Sequence, residues 1–187
     1  MNNIAIFSSH NGSGFDAIVN AIEKKELNLN IAFVISNNTN ANVLKKAQKY
    51  GIESHIVNDK TCESVEKTIY NLLKEHNCQY VFLSGYMKKI TPLLTENFSI
   101  INSHPSLLPK HGGSGMYGRF VHEAVIEHSE RYSGVSVHRV DSEYDSGSVI
   151  LQEKLELTKD ETVESLETRI KELEKTTIVK ALKKIFS

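Results

Sequence analysis

Tryptophan is absent from the 187 residues, and cysteine occurs only at Cys62 and Cys78. Two thiols so far apart form neither a C-x-x-C redox pair nor a zinc pattern; they fit ordinary thiols of a reducing cytoplasm, where the chain is expected to reside. No apolar run approaches the roughly 20 residues that a membrane-spanning helix needs. Met1–Ile6 lacks the basic region and cleavage site of a signal peptide. Charge is nearly balanced, 22 Lys and Arg against 23 Asp and Glu, a formal net of -1. That argues against a general grip on nucleic acid or anionic membrane and leaves room for a local basic pocket for one phosphate. The Walker spacing and the dinucleotide fingerprint are missing, and no cysteine or histidine cluster in the sequence offers a metal site. Proline occurs only three times, two of them, Pro105 and Pro109, in one short stretch.

What is present is an alternation of apolar strands and amphipathic helices over a length suited to one domain, residues 1–187. Ile4–Phe7, Ile31–Ser36, Glu53–Val57, Tyr80–Ser84 and Phe98–Ile101 read as strands, the most apolar of them as strands buried on both faces. Helices are expected from Phe15 to Ile22, from Ala41 to Tyr50 with Asn40 as a cap, and from Val65 to Glu75, with a short turn from Pro92. This order predicts a Rossmann-like, doubly wound, mostly parallel sheet. Tyr132–Val140 and Val149–Gln152 are expected to add an antiparallel C-terminal portion, and a helix capped by Thr158 and Glu161 closes the chain on the stripe Leu166, Ile170, Leu173, Ile178, Leu182 and Ile185.

Chemistry concentrates where the fifth strand ends. Asn102 and His104 are two apart, so on an extended backbone both point to one face, and Pro105 ends the strand by fixing φ and removing a donor. The carboxyl end of such a strand is where ligands bind in open α/β sheets. An amide beside an imidazole suits an acyl-type transfer: the amide donates to a developing oxyanion, and the imidazole donates to it or moves a proton. Ser8–Gly14, between the first strand and first helix, makes an anion site of free N–H groups and helix dipole. Read alone, each stretch is equally a polar strand end and a capped tight turn.

Asn102–Lys110 (Asn-Ser-His-Pro-Ser-Leu-Leu-Pro-Lys) resembles the N-x-H-P-S-L-L-P motif of the folate-dependent formyltransferases. The resemblance runs through nearly the whole chain and is strongest to the branch acting on glycinamide ribonucleotide. Asp141–Ile150 is similar to that family's D-x-x-[YL]-D-x-G-[PS]-[IV]-I, which makes Asp145 the third catalytic residue with Asn102 and His104. Asn11-Gly12-Ser13-Gly14 is similar to the turn that binds the substrate's ribose phosphate. Gly85–Ile90 resembles the loop that frames the folate, which implicates Met87, Lys88, Lys89 and Ile90 along with Asn102. Gly115-Met116-Tyr117-Gly118 matches an active-site loop of part of the family. Glu174 falls on a substrate-binding glutamate, with Lys171 one turn before it.

Three positions depart from the family pattern: Gly14 for an Asn, Ser148 for a Pro, and Cys62 for a phosphate-binding Arg, with Lys60 nearby as a candidate substitute. His122, His128 and His138 carry no expected chemical role. The resemblance implies 10-formyltetrahydrofolate as co-substrate without a metal, small-molecule partners, no nucleic acid or membrane, and a monomer or homodimer. The alternatives are a formyltetrahydrofolate hydrolase, a sugar formyltransferase and a non-catalytic nucleotide-binding module. Against the hydrolase stands the expectation that the chain opens directly at its first strand.

Overall fold

In a computed structural model, which describes residues 1–186, the strands and helices are β1 (Asn2–Phe7), α1 (Ser13–Glu23), β2 (Leu29–Ser36), α2 (Asn42–Lys49), β3 (Glu53–Ile56), α3 (Val65–Glu75), β4 (Tyr80–Leu83), α4 (Pro92–Asn97), β5 (Ser99–His104), α5 (Arg119–Glu127), β6 (Tyr132–Arg139), β7 (Val149–Glu156) and α6 (Val163–Phe186). The strands form one sheet in the order β3-β2-β1-β4-β5-β6-β7. The first five in sequence run parallel, and β6 and β7 return antiparallel. Strand order therefore reverses between β1 and β4, which places the turn after β1 and the loop after β4 side by side at a switch point.

Side-chain alternation along β1 sets the two layers. Ile4 and Ile6 join Phe15, Ile18, Phe82, Ile101, Ile178 and Leu182 on the face covered by α1 and α6. Ala5 and Phe7 join Phe33, Ile69, Leu73, Leu83 and Leu94 on the face covered by α3 and α4. Among the described residues, no helix is long and apolar enough to cross a membrane.

Two helix starts differ from expectation. The cap of α2 is Ala41, not Asn40, and it makes no side-chain cap bond. The Val43 N–H instead donates to the His10 carbonyl at 3.1 Å, so the first turn of α2 is satisfied by the loop after β1. α6 begins five residues beyond Thr158. Thr158 and Glu161 do bond to each other, but within the preceding turn. The capping pair is Thr162 and Ser165, each side-chain oxygen accepting from the other's N–H at 3.2 and 3.0 Å.

Candidate active site

β5 delivers Asn102 and His104 to one face of its carboxyl end, opposite His138 and Ser136 on β6. Asp145 arrives from the loop between β6 and β7, at a left-handed φ of 55°. That loop closes tightly at Gly147, where an added Cβ would sit 1.9 Å from the Arg139 carbonyl oxygen. Backbone cannot yield as a flexible side chain does. Gly147→Ala is therefore expected to cost about 1–3 kcal/mol as overpacking and to displace Asp145, where a misplacement of about 1 Å costs on the order of 10²-fold in rate. Urea midpoints and turnover of the purified variant check both.

The Asp145 carboxylate is gripped from three sides. Its Oδ2 accepts from the Gly113 N–H at 3.0 Å and lies 3.4 Å from His104 Nδ1. Its Oδ1 lies 3.4 Å from His138 Nε2. Burial alone raises this carboxyl, but His138, His104 and the Gly113 amide together hold it below its ordinary value. It is a carboxylate at neutral pH.

His104 is buried, and its Nε2–H donates to the His111 carbonyl at 2.8 Å. Burial lowers its pKa below the ordinary 6.5, and Asp145 and the His111 carbonyl restore only part of the loss. In the free protein, then, desolvation outweighs the pull of the Asp145 carboxylate.

His138, which the sequence left without a role, completes the cluster. Its Nδ1–H donates to the Arg139 carbonyl at 2.8 Å. When the ring is protonated, its Nε2–H faces Asp145 Oδ1; in the neutral ring Nε2 accepts from the Asn102 amide, 3.2 Å away. One Asn102 N–H is thereby fixed, and the second stays available for a ligand oxygen. His122, on α5, is also buried; its Nδ1 has no hydrogen-bond partner, and burial lowers its pKa.

Both lowered imidazoles have one consequence for stability. Between its folded value and 6.5, each binds a proton in the unfolded chain but not in the folded one. Stability therefore rises with pH across that window and is lost on acidification. Urea midpoints are expected to fall as pH drops below 6.5, and to fall less steeply in His104→Gln, which removes one of the two groups.

The other sequence-predicted residues lie around this centre. Gly12 caps α1 at a φ of 66°, and an added Cβ would meet Val43 Cγ2 at 2.6 Å. Gly14 turns inward, its N–H donating to Ser84 Oγ at 2.9 Å. Asn11 is exposed and Ser13 half-buried. Lys46, which sequence reasoning missed, reaches this turn from α2 and donates to the Asn11 carbonyl at 2.8 Å and to Asp16 at 2.5 Å.

The loop after β4 docks on the same turn through Ser9, whose Oγ accepts from the Met87 N–H at 2.8 Å. Met87 is exposed and Ile90 is core, while Lys89 lies over the Tyr144 ring at 5.6 Å. A cavity of about 960 Å³ opens over the turn after β1 and the loop after β4, lined by His10, Asn11, Asp59, Lys60, Lys88 and Lys89 among others but by none of the trio. Cys62 bonds instead to the Asn58 carbonyl.

His111 and Gly113 make the loop's contacts to the trio, upstream of Gly115–Gly118. Glu174 accepts from Ser103 Oγ at 2.6 Å. Ser103 alternates with Asn102 and His104, so this contact lies on the other face of β5. Burial raises the Glu174 pKa. Lys171 is paired with Glu167 at 2.5 Å and is exposed.

A half-buried carboxylate held against two imidazoles, with an amide beside it, can stabilise an oxyanion and relay a proton. A family profile described as formyl transferase matches residues 2–182, and the chain belongs to that family. Within it, the chain is 32% identical over 179 residues to the phosphoribosylglycinamide formyltransferase of Bacillus subtilis, covering 93% of this chain and 89% of that protein. The protein of the same name from Haemophilus influenzae is also 32% identical, over 93% of this chain and 82% of its own. Among solved structures, the phosphoribosylglycinamide formyltransferase from Bacillus Halodurans superimposes with a TM-score of 0.90 at 30% identity, over 100% of this chain and 96% of the other. The Streptococcus pneumoniae structure of that name gives 0.86 at 33% identity over the full length of both.

Proposed function

We propose that this chain transfers the formyl group of 10-formyltetrahydrofolate to the amine of glycinamide ribonucleotide, a step of purine biosynthesis, in the cytoplasm, and that Asn102, His104 and Asp145 carry the chemistry. The supporting observation is the convergence of an oriented amide, a buried imidazole and a carboxylate at the end of β5, next to a turn built for an anion.

The unprotonated amine attacks the formyl carbon, and the C=O electron pair moves onto oxygen. The free Asn102 N–H donates to that oxygen. His104 adds its Nε2–H once the His111 carbonyl gives it up, an exchange within the loop that covers the site. Asp145, already ionised, takes the proton released by the amine and returns one to the folate nitrogen through water as the C–N bond to the folate breaks. Proton loss and gain balance, and no metal takes part.

The ribose phosphate is assigned to Asn11, Gly12 and Ser13, with Lys60 across the same cavity in place of the family's arginine. Lys60→Ala is expected to raise KM for the ribonucleotide about fivefold, the worth of a solvated ion pair of roughly 1 kcal/mol, with kcat unchanged because the contact is uniform between ground and transition states. The loop Met87–Ile90 and Tyr144 frame the folate; Glu174, held by Ser103 on the other face of β5, and Lys171, paired with Glu167, are assigned no contact with the reacting groups.

Absorbance of the folate product, followed with and without glycinamide ribonucleotide, tests this reading. Product that requires the amine supports the transferase. Product without the amine points to the hydrolase, and absence of product in both, from a folded protein that binds folate, points to a binding module.

A further inference from the structure

The edge of the sheet opposite the reaction carries a cluster that formyl transfer does not use. Glu53 and His55 alternate onto one face at the start of β3, the outermost strand. α3 brings the chain back to the amino end of the strands, where His76 is its C-cap. One donor atom from each of the three residues lies within 4.8 Å of the other two. Glu53 Oε1 is 2.9 Å from His55 Nε2 and 3.8 Å from His76 Nε2.

The shorter contact is not a hydrogen bond: His55 Nε2 is shielded from solvent and has no hydrogen-bond partner. Both imidazoles rest against the buried Phe33 ring, at centroid distances of 5.7 Å for His55 and 4.9 Å for His76. The His76 backbone is held at both ends, its N–H donating to Leu72 and its carbonyl accepting from Asn3 Nδ2 at 2.8 Å. Donors backed by packing and backbone bonds in this way are preorganised.

We propose that Glu53, His55 and His76 form a three-ligand site for a divalent transition-metal ion of the zinc type. Two imidazoles with one carboxylate suit zinc, cobalt, nickel or copper, whereas calcium and magnesium call for oxygen donors. A tetrahedral ion about 2.0–2.1 Å from each donor needs donors roughly 3.4 Å apart, between the two separations observed, and water takes the fourth position. Such an ion ties the outer strand β3 to the end of α3 and stabilises the fold without touching the reacting groups.

The test is a titration of chelator-treated, full-length protein with Co²⁺, followed by visible absorption, and with Zn²⁺, followed by calorimetry. The expected result is one ion per chain, with no sulfur-to-metal charge-transfer band, and a higher Tm with Zn²⁺ present. Glu53→Gln and His76→Gln are each expected to weaken binding by at least the roughly 10- to 100-fold seen on losing an outer-shell partner, while formyl transfer is retained. Glu53 is exposed, so its substitution leaves the core intact if His76→Gln unfolds. Failure to bind either ion overturns the site, leaving Glu53 and His55 as a surface ion pair. Binding unchanged in Glu53→Gln, or abolished by Cys62→Ser, overturns it equally.

Discussion

Asp145→Asn is expected to lower kcat by roughly 10²–10⁴, the span for losing a positioned proton-transfer group, while KM for both substrates changes little. The amide keeps the size of the carboxylate and can still accept from the Gly113 N–H, so the loop should hold its shape. It can no longer take the amine's proton. It also withdraws the negative charge that partly offsets the burial of His104, so the imidazole becomes harder to protonate still. Stopped-flow single turnovers check the rate, and the histidine resonances followed against pH check the second effect. The expected direction is a His104 pKa lower than in the unsubstituted protein; a higher one would remove Asp145 from its electrostatic role.

Asn102→Ala is expected to lower kcat by roughly 10²–10³, about 3–4 kcal/mol of barrier, the cost of removing one oxyanion donor. The expected loss exceeds that of an ordinary hydrogen bond because the amide is oriented in advance. With one N–H held by the neutral His138 ring, the proposed mechanism leaves the other for the oxyanion without reorganisation. His138→Ala should reproduce part of the loss by freeing that amide, and the double variant should lose less than the sum of the two, since both act through one group. Steady-state kinetics on the three variants measure the coupling.

Sequence periodicity revealed most of this fold because the parallel strands are apolar on both faces and the helices carry clear stripes. The misses have physical causes. β7 was read only as far as Gln152, yet it pairs with β6 through Glu156. Its outer half, Glu153-Lys154-Leu155-Glu156, carries three charged residues, as an edge strand does. Asn40 and Thr158 have good capping side chains, but neighbouring backbone and a second Thr-Ser pair satisfied those helix ends.

Asn102, His104 and Asp145 were legible through local motifs. His138 was not, because its partner lies across an antiparallel pairing whose register the sequence does not display. Lys46 and the pair His55 and His76 were hidden for the same reason: each meeting depends on tertiary placement. The expectation that no histidine cluster exists was a statement about sequence spacing, and the fold brings two distant histidines to one edge.

The most direct measurement follows a ¹³C label in the formyl group of 10-formyltetrahydrofolate by NMR, in the presence of glycinamide ribonucleotide. The expected result is transfer of the label to the ribonucleotide's amide, fast with the unsubstituted protein and nearly absent with Asp145→Asn. Label appearing as free formate, or moving equally fast without Asp145, would contradict transfer by this trio.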